Sequence, residues 1–240
     1  MIARAPIVAL TLRALLDRKR TWLMVGLAAI PVLLVGLAVM LSDTAIEAED
    51  FDDAIVAIVL PLIALVFGTS ALGSELDEGT IVYLLAKPVR RLRIVLAKVI
   101  VAAALTAALM VPSALLTGAV ATLGGNELMG PATAYAIAAA LGGTAYVVVF
   151  LALSTFTRWA LAIGLVYVLL WEGILADLLP GSSTFSVRQA TINVAGDLSD
   201  ASTGSDGSLE QGLFVLGLIT LGGIALATWR MSRYQLRGGD

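Results

Sequence analysis

Neither cysteine nor histidine occurs in the chain. Without cysteine there is no disulfide framework, no thiolate metal site and no thiol nucleophile. Without histidine the commonest general base, metal ligand and near-neutral pH switch is gone. Serine-type intramembrane proteolysis, which needs a histidine base, and zinc-type proteolysis through His-Glu-x-x-His are both excluded. No Gly-x-x-x-x-Gly-Lys-Ser/Thr loop is present, so the chain binds no nucleotide by a P-loop. No catalytic motif remains, and the sequence reads as a non-enzyme that binds no metal or cofactor of its own. Charge is also scarce, at 14% of 240 residues against 59% hydrophobic. Soluble domains carry roughly 25% charged residues. A single soluble core could not hide this much apolar surface, so much of it must face lipid or other spanning helices.

What is present is long apolar runs. A bilayer core of about 30 Å needs roughly 20 apolar residues in a helix. Six stretches meet that need, at about 22–41, 54–73, 99–120, 132–156, 159–176 and 212–229. The first is longer than a signal-peptide core and ends in Ser42-Asp43 without a small-x-small exit, so it reads as a retained span. Residues 1–20 interleave Ile2, Ile7, Leu10, Leu12, Leu15 and Leu16 with Arg4, Arg13, Asp17 and Arg18. This pattern predicts an amphipathic helix in the membrane interface, with Arg18-Lys19-Arg20 meeting anionic headgroups. The predicted fold is thus an all-α integral membrane protein, a single domain over 1–240.

Orientation follows from the basic residues. With both termini cytoplasmic, every Lys and Arg except Arg188 falls on the inner side. The outer loops are acidic, with Glu47, Glu49, Asp50, Asp52 and Asp53 as a solvated rim. So lopsided a split is the positive-inside pattern of a multi-pass protein of the cytoplasmic membrane.

Within the spans, Pro31, Pro61 and Pro112 can each kink a helix. Small residues suit close helix packing, and the candidates are Ala103 with Ala107, Ala139 with Gly143, and Gly217 with Gly222 and Gly223. Glu172 is the one ionisable residue well inside a span. It is either a residue lining a translocation path or a carboxylate reaching the outer interface. Secondary transporters usually hold more intramembrane charge than this. The outer loop 177–211 is long for a connection. Leu178, Leu179, Pro180 and Phe185 predict a first part dipping into the leaflet, and the polar stretch 196–208 a mobile remainder.

The informative stretch is 74–93, between the second and third spans. Ser74, Glu75, Asp77 and Glu78 suit a helix N-terminus, where carboxylates meet the positive dipole end. Ile81, Val82, Leu84 and Leu85 form an apolar patch that Lys87-Pro88 ends. Arg90, Arg91 and Arg93 follow at headgroup level. A short surface helix, acidic at one end and basic at the other, can dock a cytoplasmic partner.

The ordered pattern Glu78-Gly79-Thr80, Leu84-Leu85, Pro88, Arg90 or Arg91, and Lys98 resembles the type-2 ATP-binding-cassette (ABC) permease family. The six spans, the interfacial N-terminal helix and the long outer loop are similar to that family too. The resemblance implies a permease subunit of an ATP-driven exporter, paired with a second copy or a paralogue. It implies that the segment between spans two and three is a coupling helix. Glu75, Asp77, Glu78, Gly79, Thr80, Leu84, Leu85, Pro88, Arg90 and Arg91 would then contact a separate P-loop ATPase subunit, which holds the ATP-Mg. It also places short helices in the outer loop, closing the exit. Membrane lipids surround such a chain, and nucleic acid is not an expected partner. A non-transporting scaffold or sensor on the same fold, and a secondary transporter, remain the alternatives.

Overall fold

The computed structural model describes residues 18–41, 52–77, 90–125, 127–170, 186–199 and 207–233. All regular structure among them is helical. Helix α1 is Arg18–Leu41. A π-helical turn, Asp52–Ala57, leads into α2, Val59–Asp77. Then come α3, Arg91–Leu123, α4, Met129–Ser154, and α5, Ala160–Val166. Last are α6, Val187–Ser199, and α7, Leu209–Ser232.

Five helices among the described residues are long and apolar enough to cross a membrane: α1, α2 with its π turn, α3, α4 and α7. They coincide with the first four runs and the last run read from the sequence. For the fifth run, an apolar helix is described over Ala160–Leu170. The rest of that run, with Glu172, lies outside the described residues. So do residues 1–17 of the expected interfacial helix, the acid run 47–50, and 78–89 of the expected coupling segment.

The centre of the bundle is α4 between α2 and α3. An all-apolar exterior offers no hydrophobic drive for helix pairing, so close approach and hydrogen bonds must supply it. Glycine provides the approach. At Gly68 on α2, an added Cβ would lie 2.8 Å from the Val147 carbonyl oxygen and 3.0 Å from Phe150 Cβ. At Gly118 on α3 it would overlap Ala132 Cβ, and Gly143 on α4 sits over Thr106 and Leu60. These pairings run α2 parallel to α4 and α3 antiparallel to it.

The buried register of α3 is Ala102, Thr106, Met110, Ser113 and Thr117. It does not contain Ala103 and Ala107, which sit half-exposed one position round the helix. Spacing alone cannot distinguish two neighbouring small-residue rows on one Ala-rich helix. Of the three glycines expected to pack on the last span, Gly223 meets Val148, whereas Gly217 and Gly222 face open space.

Pro31 and Pro112 lie inside α1 and α3. Proline weakens the ladder before it, and neighbouring hydroxyls can satisfy the loosened carbonyls. Ser113, beside Pro112, donates to the Ala28 carbonyl at 2.6 Å, three residues before Pro31. The two proline sites are thereby stitched together. Pro61 plays a different part from an interior kink: it stands in the first turn of α2, just after the π-helical turn. There its missing N–H is little loss.

Helix α6 falls within the stretch read as an outer loop. Ser186 accepts a bond from Gln189 N at 3.1 Å, capping its start. Its first ten residues, 187–196, are all buried or half-buried among neighbours. Thr191 fills the space left by Gly142, halfway along α4, and Ala190 and Val194 meet Gly212 of α7. The helix thus rises from the middle of the bundle to the end where α7 begins. There Leu209 N donates to Asp197 Oδ2 at 3.3 Å, beside the Ser208–Gln211 capping box. Residues 196–199 therefore belong to a packed helix and not to a mobile tail. Residues 200–206 lie outside the described residues.

Candidate coupling site at the basic end

The C-terminal ends of α2, α4 and α7 and the N-terminal end of α3 meet at one end of the bundle. Among the described side chains, Arg90, Arg91, Arg93, Lys98, Arg158, Arg230 and Arg233 belong to these ends, and the acids Glu127, Asp197 and Glu210 belong to the opposite one.

The long helix α3 begins eight residues before the apolar run at Val99, because Ile94 and Val95 already pack inside. Its first turns carry two cations that reach the ends of other helices. Arg91 Nη1 donates to the Met231 carbonyl at 2.9 Å, in the last turn of α7. Lys98, 1% exposed, donates from Nζ to the Ala71 carbonyl at 2.5 Å, in the closing turns of α2. The carbonyl end of a helix carries partial negative charge, so both placements suit the dipole. In effect α3 begins as a clasp holding the ends of α2 and α7. Arg90 precedes it in extended conformation, φ −61 and ψ 128, exposed and making no side-chain cap.

Beside this clasp lies a polar cleft of about 220 Å³ lined by Thr69, Ser70, Gly73, Ser154, Thr157 and Arg158. Thr69 donates to the Leu65 carbonyl at 2.7 Å and Ser154 to Leu151 at 2.8 Å. Thr157 accepts from Trp159 N at 3.1 Å. These hydroxyls serve their own backbone, so the cleft has one charged lining group, Arg158, whose guanidinium lies 5.6 Å from the Trp159 ring.

Of the residues expected to meet an ATPase, the structure places Arg90 and Arg91 at the start of α3. Glu75 and Asp77 are not at the start of a new helix, as expected, but in the last turn of α2, which continues past the apolar run to Asp77. Glu78, Gly79, Thr80, Leu84, Leu85 and Pro88 lie outside the described residues, as does Glu172. Lys98 had been legible as the last residue of the ordered pattern; its carbonyl partner had not. Ser154, Thr157 and Arg158 had no signal beyond a short polar break between two apolar runs. Among the described residues no cluster of His, Cys, Asp or Glu could hold a metal ion.

A bundle of long apolar helices, with every described lysine and arginine side chain except Arg188 gathered at one end, defines a multi-pass membrane protein. The family model for ABC-2 family transporter proteins matches residues 29–202, most of the chain, and the protein belongs to that family. Members are membrane components of ABC transport systems and associate with an ABC ATPase. No curated protein matches the chain.

Proposed function

We propose that this chain is the permease subunit of an ATP-driven exporter of the cytoplasmic membrane, with the ATPase docked on residues 75–91. Two permeases, identical or paralogous, enclose the path, and two ATPase chains bind their cytoplasmic faces. The clasp at the start of α3 carries this reading. Residues 78–89 join α2 to α3, and α3 is tied by Arg91 to α7 and by Lys98 to α2. A pull on that segment by a closing ATPase reaches three spanning helices within two turns. The chain brings no P-loop of its own, so the energy comes from the partner. Glu172 lines the path in this reading, and the outer helices close its exit.

The direct test is recovery of the chain at native expression in mild detergent. A P-loop ATPase is expected in roughly equal amount, and alanine at Glu78 and Arg90 is expected to remove it. A chain that comes out alone would favour the scaffold or secondary-transporter alternatives.

The cytoplasmic placement of the basic end has its own check, made easy by the absence of native cysteine. A cysteine at exposed Arg90 should react with a membrane-impermeant maleimide only after the cells are opened. One at Leu123, 88% exposed at the other end, should react in intact cells. The reverse pattern would invert the topology and remove the docking proposal with it.

A further inference from the structure

An apolar groove of about 460 Å³ runs between α4, α5 and α7, walled by Val149, Phe156, Ile163, Tyr167, Ile219 and Leu226, with Gly222 in its floor. Its walls carry almost no polar surface. Water needs two to four polar partners to settle in a cavity, so this groove is a poor site for it.

The dimensions suit one particular filler. Gly223 meets Val148 and Arg230 reaches Phe156, so Ile219 stands level with about residue 144 of α4 and the groove, from there to Phe156, is about 18 Å long at 1.5 Å per residue. One leaflet of a hydrocarbon core of about 30 Å is half that thickness, about 15 Å. The groove begins at the basic end, where Phe156 forms its lip. The guanidinium of Arg230 lies over that ring, 5.3 Å from its centroid. Arg230 Nε is buried and has no hydrogen-bond partner among the described residues. Arg158 follows two residues after the lip, and Arg233 stacks 4.2 Å from the Trp229 ring one turn beyond. Basic pockets between spanning helices are where anionic headgroups bind.

We infer that this groove is a binding site for one anionic phospholipid, its acyl chain between α4, α5 and α7 and its phosphate on Arg230. The selectivity lies in the headgroup. Any lipid chain is as apolar as the groove walls, so the tail alone gives no preference over the surrounding bilayer. The lipid is a structural ligand that wedges α7 against α4, where Gly222 leaves open space. It is distinct from the ATPase contact and does not depend on it.

Two substitutions separate head from tail. Arg230→Gln removes the charge, with Arg230→Lys as the variant that keeps it. An added Cβ at Gly222 meets nothing within 4 Å, so Gly222→Leu fills the groove without disturbing the fold. The full-length chain is purified from vesicles of phosphatidylglycerol and phosphatidylcholine, and retained lipid is counted by native mass spectrometry. The native chain and Arg230→Lys should each hold one phosphatidylglycerol. Arg230→Gln should lower its retention about fivefold, as expected for one basic side chain at an anionic surface. Gly222→Leu should lower retention of either lipid at this site while melting like the native chain. Equal retention by all four proteins, or phosphatidylcholine held as well as phosphatidylglycerol, overturns the site. So does a disulfide between two Gly222→Cys chains in the membrane, which would mean that a second copy covers the groove.

Discussion

Replacing Gly68 by leucine is expected to leave no folded protein. The carbonyl oxygen of Val147 and the Cβ of Phe150 already stand where a side chain would begin, at 2.8 and 3.0 Å, with Val147 Cα at 3.3 Å. Two of these three atoms are backbone, so no rotamer change clears the space. The two helices must separate, and α4 is the element against which most of the bundle packs. Overpacking a tight site costs about 1–3 kcal/mol even when neighbours can adjust. Here they cannot, and the loss spreads along the whole α2–α4 seam, against a total stability of only about 5–15 kcal/mol. Gly68→Ala should fall between leucine and the native residue. Gly217→Leu is the control, since an added Cβ there meets nothing within 4 Å. Size-exclusion profiles and melting curves in one detergent decide the matter. If Gly68→Leu and Gly217→Leu elute and melt alike, the close approach of α2 and α4 does not exist in the membrane.

The second large effect is expected at Lys98. Its ammonium is buried against the Ala71 carbonyl, so the position reports directly on the clasp. Lys98→Met keeps the length and removes the charge. It forfeits a hydrogen bond to a charged group, about 1.5–3 kcal/mol, less whatever is regained by not burying the ion. Lys98→Glu puts a carboxylate against the carbonyl end of α2, where both the dipole and the desolvation oppose it. A buried charge left uncompensated costs about 3–5 kcal/mol. The expected order of melting temperature is native, then Met, then Glu, with Glu close to unfolded. A Lys98→Glu chain as stable as the native one would mean that position 98 looks into water.

The spans were legible because a run of apolar residues has one meaning in a chain of this composition. Trp22 to Leu41 or Ala132 to Ser154 could scarcely be anything else. Helix α6 was not legible in the same way. Arg188, Gln189, Thr191, Asn193 and Asp197 give it the polarity of a loop. It is buried because its small faces at Ala190, Thr191 and Val194 fit spaces left by Gly142 and Gly212, a pairing between distant parts of the chain. Tertiary complementarity of that kind leaves no periodic trace in one sequence. The clasp was half legible. Arg91 and Lys98 could be read as positive-inside charges and as parts of an ordered pattern, but a basic residue carries no mark of which carbonyl it will find. The small-residue seams were the least secure. In α3 the row one step round from Ala103 and Ala107 is the one that packs.

Burial is very uneven among the spans. Of the 18-residue apolar stretch in the spans containing α2 and α4, 72% and 67% lies inside the bundle, against 22% for α1 and 17% for α7. Natural variation should divide along the same line. A site on α7 that touches only lipid accepts any apolar side chain, so drift there is nearly neutral. Each inward site on α4 is held by two or three neighbours that would have to change with it. Kinship in such a chain is therefore expected chiefly in its middle helices.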